Sequence, residues 1–440
     1  MKLFQSMTLG ILGLWLISIN VIADQDTDRK KVENDLRHAM TYMHSLQQNG
    51  GWATKWSSDL KLTWGEHAIR PREIITVQPP ATPGVGGLFL RAYQVLNDPD
   101  YLKIAVAAGD ALIDGQLDCG GFPHEFVPGD SKKKSGSFDD DVTQGATRFL
   151  IDLYNVSQEE RFAKAARNCA RFMLDSQYSN GGWPQAFPLG KGYSRYITLN
   201  DRAMMDVMRT LFLCYHQFGD KRYYDAALRG ADCLIALQGK SPQGGWAQQY
   251  EVNGTPAPAR RFEPIALSSS ESVGVLKVML DVYKETNDPK YLSVGQAAFE
   301  WLHKSKLPNG KWARFYELKS NRPLYCTPEG EIIFDVALAR PGYSWQGNYF
   351  SPSLEKTYKD LLSGSQKPKT NKTTVKRKVV GKEVEPYLKS LDKKGRWISQ
   401  ISSSAKQQYQ DKIGDPIGVG IIQSGVFVRN AGRLLDYLEK

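Results

Sequence analysis

The sequence has few of the residues that build disulfide frameworks or histidine-centred catalytic sites. Its 440 residues include five cysteines and six histidines. The cysteines are scattered, odd in number and without a CxxC pair, so they predict neither a zinc site nor a disulfide framework. Cys169 and Cys233 lie within apolar helical stretches and are expected in the core. A GxSxG motif, a P-loop and a dinucleotide fingerprint are also missing, which argues against several common enzyme classes.

Long apolar runs are scarce as well. The main run, residues 9–16, follows Lys2 and precedes the small residue Ala23. This pattern is typical of a secretory signal peptide, which we place at residues 1–23, and it predicts an exported protein, periplasmic or secreted. The run is short for a membrane span of roughly 20 residues, so we expect no stable membrane anchor; a retained anchor helix is the alternative.

Acidic residues are fewer than basic ones, and the formal net charge is +10. A basic exported protein suits a polyanionic partner, because its field concentrates anions near its clefts. Export argues against nucleic acid, so an acidic polysaccharide or an anionic surface fits better. Ordinary solubilising charge is the alternative.

A glycine-rich phrase recurs along the chain at intervals of 61 to 70 residues. A fixed period of this size indicates a repeat architecture. The copies are SLQQNGGW, GQLDCGGF, SQYSNGGW, LQGKSPQGGW and SKLPNGKW. Their second glycines, or the lysine in that place, are Gly51, Gly121, Gly182, Gly245 and Lys311.

Two amphipathic segments precede each later copy, with apolar residues at helical spacing, as from Phe162 to Phe172. The repeated unit is therefore helix, turn, helix and glycine loop. A single pair cannot bury its apolar face, so we predict an all-α fold, an α/α toroid or incomplete barrel of helix hairpins with short strands in its loops. We expect the loops to gather at one end, where function concentrates, and the protein to be a monomer.

Composition suggests the domain boundaries. The toroid is predicted at residues 24–362, followed by a basic, polar stretch at 363–385 that we interpret as an exposed loop. Residues 386–440 include an amphipathic helix at 424–438 and are predicted to dock back on the toroid.

Acidic motifs precede helices in two successive repeats. Three adjacent aspartates end the segment Ser137–Asp141, and Asp201 ends a second motif. Such carboxylates could cap helices or bind a hard cation such as calcium. Asp139 and Asp201 are 62 residues apart, about one repeat, so in a ring of hairpins they would converge.

Arginines mark two further motifs. Arg260 and Glu263 precede the next helix, and Arg340 begins a segment that ends at Trp345. An arginine beside carboxylates at a cleft suits carboxylate recognition through its planar fork. Each arginine alone is more often an ordinary surface residue.

Taken together, these motifs resemble the pectic acid lyases of polysaccharide lyase family ten and related pectate lyase-like bacterial proteins. The matching pieces are SFDDDVTQGATRFL, NGGWPQAFP, ITLNDRAMMDVM, GGWAQQY, ARRFEP with SSSESVGVLKVML, WARFYELKSNRPLY and RPGYSWQGNY. The resemblance implies an α/α toroid that cleaves polygalacturonate by anti β-elimination. A base removes the C5 proton, and calcium and basic side chains stabilise the developing charge.

The resemblance also implies residue roles. Asp139 and Asp201 are expected to bind calcium, and Arg340 is expected to be catalytic, although Arg260 stays open as the base. The implied substrate-binding residues are Arg260, Asn200, Glu263, Trp183 and Gln185. Because an arginine pKa exceeds ~12, activity should need calcium and rise toward alkaline pH.

Three other functions fit parts of the sequence. A glycoside hydrolase on a similar toroid could use Asp139 and Asp201 as its two carboxylates. A terpene cyclase-like fold would explain QYSNGGW, but the charge and the polar loops oppose a deep apolar pocket. A polysaccharide-binding protein without activity would keep the scaffold alone.

Overall fold

The computed structural model describes residues 29–66, 68–130, 135–365 and 379–439. The predicted signal peptide lies outside this range, as does most of the loop predicted at 363–385. Helices dominate the described part, and none of them is long and apolar enough to cross a membrane. The helices are α1 (residues 29–45), α2 (Thr82–Leu96), α3 (Pro99–Gly115), α4 (Val142–Ser157), α5 (Glu160–Asp175), α6 (Ala203–Phe218), α7 (Lys221–Ala236), α8 (Ser269–Thr286), α9 (Gly295–Lys304), α10 (Pro352–Leu362), α11 (Gly381–Lys389), α12 (Ser403–Lys412) and α13 (Ser424–Leu438).

The strands are short and lie in the connections between helices. They are β1 (Lys55–Ser57), β2 (Thr63–Trp64), β3 (Ile69–Arg70), β4 (Ile75–Thr76), β5 (Glu125–Phe126), β6 (Gly136–Ser137), β7 (Ala186–Phe187), β8 (Ile197–Thr198), β9 (Trp246–Ala247), β10 (Gln249–Tyr250), β11 (Leu267–Ser268), β12 (Trp312–Ala313), β13 (Phe315–Tyr316), β14 (Pro323–Cys326), β15 (Ile332–Ile333), β16 (Gln346–Gly347), β17 (Ile398–Ser399) and β18 (Ile421–Gln423). Short 3₁₀ turns add Asp139–Asp141, Gly192–Arg195, Asn200–Arg202, Pro289–Leu292 and Val336–Leu338.

Contacts group the described residues into two compact units. The first unit holds those of Met1–Thr76, Pro80–Ala111 and Val375–Lys440, and the second holds those of Val77–Pro79 and Leu112–Thr374. The first unit contains a five-stranded antiparallel sheet with the strand order β17-β18-β1-β2-β3. The second unit contains the helix pairs α4/α5, α6/α7 and α8/α9 and a sheet of order β15-β14-β13-β11-β9.

The C-terminal segment is ordered in the first unit. There α13 packs on α2, where the Arg91 guanidinium bonds Asp436 at 2.7 Å and the Phe89 and Phe427 rings lie 6.4 Å apart. Helix α11 begins at Gly381, inside the range predicted as loop.

Burial follows the predicted helical periodicity. On α5 the side chains from Phe162 to Phe172 that recur at helical spacing are buried, and so are Cys169 and Cys233, as expected. All five cysteines are free thiols.

Each glycine loop is held to its helices by a loop tryptophan, a loop glutamine or both. The loop tryptophan donates its indole N–H to a carbonyl of the preceding helix, which satisfies the one polar group of a buried ring. These bonds are Trp52 to Met43 (2.9 Å), Trp183 to Met173 (2.7 Å), Trp246 to Leu234 (2.7 Å), Trp312 to Leu302 (2.7 Å) and Trp397 to Tyr387 (2.8 Å). The loop glutamine links its own loop to the next repeat: Gln116 to Gly120 (2.9 Å) and Ala165 (3.0 Å), Gln177 to Gly181 (2.9 Å) and Ala226 (2.9 Å), and Gln238 to Gly244 (2.9 Å) and Val294 (2.9 Å).

The first glycine of the loop is required by close backbone approach. Gly181 has φ +92°, and a Cβ atom there would lie 2.2 Å from the Arg229 carbonyl oxygen of α7. Gly120 repeats this contact with the Asn168 carbonyl oxygen of α5 at 2.3 Å. Only glycine combines this backbone conformation with this spacing.

The structure adds a sixth copy of the repeat, at Gly395-Arg396-Trp397. Gly395 has φ +79°, and a Cβ atom there would lie 2.7 Å from the His38 carbonyl oxygen of α1. The last copy therefore packs on the first described helix as the copies at Gly50, Gly120 and Gly181 pack on helices of their successors.

Candidate functional site

Two 3₁₀ turns of matching backbone conformation precede α4 and α6. Asp140 and Asp141 have φ of 49° and 64°, and Asp201 and Arg202 have φ of 47° and 64°. By conformation, Asp201 is thus equivalent to Asp140, whereas we had aligned it with Asp139. The alignment of the two motifs by the repeat interval was therefore wrong by one residue. A left-handed backbone conformation does not change the length of the segment, so the interval could not show it.

Backbone hydrogen bonds fix the same register in three repeats. The residue just before each 3₁₀ turn, or the first residue of α8, donates its N–H to the carbonyl of the residue two places after the next repeat's loop tryptophan. We call this the post-tryptophan position. The bonds are Phe138 to Gln185 (2.8 Å), Leu199 to Gln248 (2.9 Å) and Ser269 to Arg314 (3.0 Å).

This register places Glu271, not Arg260, at the third acidic turn. Helix α8 begins directly at Ser269, so the 3₁₀ turn is replaced by helix, and Glu271 lies in the first turn of α8. Arg260 lies in the loop before β11 and is not equivalent to Asp201.

The carboxylates of Asp139, Asp201 and Glu271 act on one another. Burial, the negative charge of Asp139 and that of Glu271 raise the pKa of Asp201, while Arg314 and Arg260 oppose the rise. Asp139 Oδ1 is buried and has no hydrogen-bond partner. Asp201 therefore lies in a buried site where two other carboxylates oppose its ionisation and two arginines favour it.

Arg314 is the residue that sequence reasoning missed. Its side chain is 13% exposed and donates to Glu271 at 3.0 Å and to Asn200 at 3.3 Å. Burial lowers the pKa of Arg314, but the charge of Glu271 leaves it above the ordinary value. Its Nε is buried without a partner, so one guanidinium donor is left unsatisfied.

Arg260 is held by Glu263. The Arg260 guanidinium donates to both Glu263 oxygens at 2.8 and 2.6 Å, and the Tyr343 hydroxyl donates to the same carboxylate at 3.0 Å. These hydrogen bonds raise the pKa of Arg260. Glu263 is 2% exposed, so it orients Arg260 and has little surface for a substrate.

Arg340 lies against an aromatic ring. Its guanidinium carbon is 4.1 Å from the Phe262 ring centroid, and Arg260 lies 5.1 Å from the same centroid. Among described residues, no carboxylate lies within ion-pair distance of Arg340. The chain turn that carries it is fixed by the Trp345 indole, which donates to the Arg340 carbonyl at 2.8 Å.

The other predicted substrate-binding residues divide by burial. Asn200 is 6% exposed and accepts from Arg314, so it belongs to the charged cluster. Gln185 is half-buried at the post-tryptophan position beside the Asp139 turn. Trp183 has no exposed surface and packs on Gly230, so its predicted substrate contact is corrected to a core role.

The repeat pattern at the post-tryptophan position could have identified Arg314 as a site residue from the sequence. In successive repeats of the second unit it is filled by His124, Gln185, Gln248 and Arg314. All four are polar, and each follows a buried aromatic. His124 also has a ring nitrogen within 4.8 Å of carboxylate oxygens of Asp139 and Asp140, a spacing that could hold a metal ion.

Comparison with known proteins was made on sequence and on fold. The family model described as pectic acid lyase matches residues 124–311 and 308–353, which is more than half of the chain. A search of curated protein sequences finds no match.

Solved structures share the fold. A family 10 polysaccharide lyase from Cellvibrio cellulosa has a TM-score of 0.50 at 24% identity, over 65% of this chain and 97% of that one. A mutant of that lyase in complex with trigalacturonic acid has the same score and identity, over 64% and 97%. A D-mannose isomerase has a TM-score of 0.51 at 14% identity, over 92% and 97%.

These likenesses confirm the predicted fold class, an α/α toroid of helix hairpins. The family model covers the two acidic turns, the Arg260 loop, Arg314 and Arg340. The chain belongs to the pectic acid lyase family of polysaccharide lyases.

Proposed function

We propose that this protein is a pectate lyase that cleaves polygalacturonate by calcium-assisted anti β-elimination. The observation that carries the proposal is the cluster of Asp139, Asp201 and Glu271 with Arg314 and Arg260, all charged and partly or fully buried. An acidic substrate can bind such a cluster only if its negative charge is neutralised, and arginines and a cation do this together.

Asp139 and Asp201 are the residues that would hold calcium. Calcium prefers oxygen ligands, and the buried, unpartnered Oδ1 of Asp139 is an oxygen with a free ligand position. Burial and the neighbouring charges of Asp139 and Glu271 raise the pKa of Asp201, and a bound cation would offset both effects by favouring the carboxylate. When bound, calcium would withdraw charge from the substrate carboxylate and so acidify the neighbouring C5–H.

The arginines then act on the substrate. In the elimination a base takes the C5 proton, the C5–H electron pair forms the C4–C5 double bond, and the C4–O bond breaks. The leaving oxygen takes a proton. Arg314, with its unpartnered Nε, is placed to bind the uronate carboxylate, because a guanidinium fork matches a carboxylate.

We place the base at Arg260, which differs from the role that the resemblance gave to Arg340. The charge of Arg260 acts on Asp201, whereas Arg340 lies against the Phe262 ring. The pair with Glu263 raises the pKa of Arg260, so loss of its proton is costly. A rate that rises toward alkaline pH follows from this assignment.

Polygalacturonate is favoured for two reasons. A lyase of similar fold was solved with trigalacturonic acid, and the net charge of +10 suits a polyanion. Export, with residues 1–23 as the signal peptide, is part of the proposal. Sequencing the N-terminus of the mature protein tests it, and a mature chain that still begins at Met1 would refute it.

The activity test is a spectrophotometric assay on polygalacturonate with calcium or with chelator. A lyase forms an unsaturated product that absorbs, whereas a hydrolase product has no new double bond. We expect absorbance to grow only with calcium. Chain shortening without absorbance would replace the lyase with a hydrolase, and full activity in chelator would refute the calcium role.

Variants separate the two arginines. Arg260→Ala should abolish turnover yet keep oligogalacturonide binding, and Arg340→Ala should retain measurable turnover. Arg322→Ala, which removes an arginine with 57% of its side chain exposed, is the matched control. Loss of turnover confined to Arg340→Ala would move the base to Arg340.

A further inference from the structure

The three-aspartate turn at 139–141 divides its carboxylates between two neighbours. Asp141 forms an ion pair with Arg148 of α4. Asp139 and Asp140 lie instead beside His124, and one ligand atom from each of the three residues falls within 4.8 Å of the others. An imidazole and two carboxylates at this spacing form a partial metal coordination shell, not an acidic patch alone.

The backbone holds His124 in place before any ion arrives. Its carbonyl accepts from the Val77 N–H at 2.8 Å and the Gln78 N–H at 3.2 Å. The Phe122 N–H two residues earlier donates to Thr143 Oγ1 at 3.1 Å. A ligand held on a fixed loop loses little entropy on binding, which favours a defined site.

One observation points to a bound ion, and the exposure of the cluster leaves room for one to enter. Asp139 Oδ1 is buried and has no partner, so a strong acceptor is left unsatisfied. His124, Asp139 and Asp140 are all half-buried, so the cluster is reachable from solvent.

The chemistry of the donors selects the ion. Calcium takes oxygen ligands and gains little from imidazole. Imidazole nitrogen suits zinc, nickel, iron and cobalt, and carboxylates complete such sites. We propose that His124, Asp139 and Asp140 bind a divalent transition-metal ion, at a site that shares Asp139 with the proposed calcium pair Asp139 and Asp201 but differs from it in its other ligands.

Shared use of Asp139 makes the two ions compete. This step rests on the proposed calcium role of Asp139, whereas the transition-metal site does not. Occupation of the His124 site would draw Asp139 away from calcium, so a transition metal would weaken calcium binding in proportion to its occupancy.

The test uses Co²⁺ as the probe with the untagged protein and no polysaccharide. Its visible absorption bands report nitrogen and oxygen coordination, and titration against a competing chelator gives the Kd. We expect one Co²⁺ per chain, with His124→Gln weakening binding at least tenfold. Asp140→Asn should weaken it too, which guards against a folding defect peculiar to one variant.

His216→Gln is the matched control. His216 also pairs with a carboxylate, Glu285 at 2.8 Å, but belongs to no group of three ligands in the described part of the chain. Its Kd for Co²⁺ should equal that of the wild type. Failure of the wild type to bind Co²⁺, or equal Kd values for His124→Gln and the wild type, would overturn the proposal.

Calcium titrations keep the two proposals separate. Asp201→Asn should weaken calcium binding and leave the Kd for Co²⁺ unchanged, whereas Asp139→Asn should weaken both. Co²⁺ binding through His124 in a protein that does not cleave polygalacturonate would uphold this site and refute the lyase activity.

Discussion

Replacing Arg314 with methionine tests the charged cluster most directly. The change keeps an unbranched stem but removes the guanidinium, and so leaves Glu271, 3% exposed in its side chain, without its cation. Removing one partner of a buried ion pair costs about 3–5 kcal/mol, because the remaining charge stays desolvated. Ser268 Oγ still donates to Glu271, so we expect the lower end, about 3 kcal/mol.

Arg322→Met is the control for this experiment. Arg322 pairs with Glu317, but the two side chains are 57% and 34% exposed, and such surface pairs contribute up to about 1 kcal/mol. For a unit of this size, 1 kcal/mol moves Tm by about 2 °C. Calorimetry should thus give a loss of about 6 °C for Arg314→Met and at most about 2 °C for Arg322→Met.

A double variant isolates the cause. Adding Glu271→Gln to Arg314→Met removes the unpaired charge and should recover part of the lost stability. Equal Tm values for Arg314→Met and Arg322→Met, or no recovery in the double variant, would refute the argument that Glu271 needs Arg314.

Three further outcomes follow from the structure. Because burial and Asp139 raise the pKa of Asp201, the native state binds its proton more tightly, so stability falls as pH rises from 3.8 through the native pKa and stays lowered above it. Asp201→Asn should therefore have a higher Tm than the wild type at pH 7 in chelator, with the order reversed in calcium; a lower Tm in chelator contradicts the sign. Gly181→Ala forces a Cβ to 2.2 Å from the Arg229 carbonyl and should cost at least about 3 kcal/mol in denaturant melts, against about 1 kcal/mol for Gly192→Ala, whose Cβ meets nothing within 4 Å. Lyase initial rates in calcium should climb toward alkaline pH, and a maximum in mildly acidic buffer would argue against an arginine base.

Sequence reasoning recovered the features that depend on period. The interval between glycine phrases and the apolar spacing in α5 predicted helix hairpins and their loops, because both are set by local geometry. Sequence reasoning failed for residues whose role is set by tertiary contacts. Trp183 lies in a motif that matches the family, yet its ring is in the core, where its indole N–H donates to the Met173 carbonyl.

The site was predicted in outline only. The charges of Asp139 and Arg260 both act on Asp201, but the equivalence of Asp201 with Asp140 depends on left-handed backbone angles that leave no pattern of residue types. Arg314 was in view within WARFYELKSNRPLY, and only its partners, Glu271 and Asn200, set it apart from the exposed Arg322.

In the glycine loops, the residues that stabilise the fold differ from those that line the site. Glycine with tryptophan, glutamine or both holds each loop to its helices, while the post-tryptophan position contributes its backbone carbonyl to the scaffold. Any residue supplies that carbonyl, so a substitution there keeps the backbone hydrogen bond, and the cost in stability depends on whether the side chain is itself paired, as Arg314 is with Glu271. Such a chain can diversify its ligands one loop at a time, and the half-buried positions 124 and 185 are where a randomised library would sample new specificities at least cost to the fold.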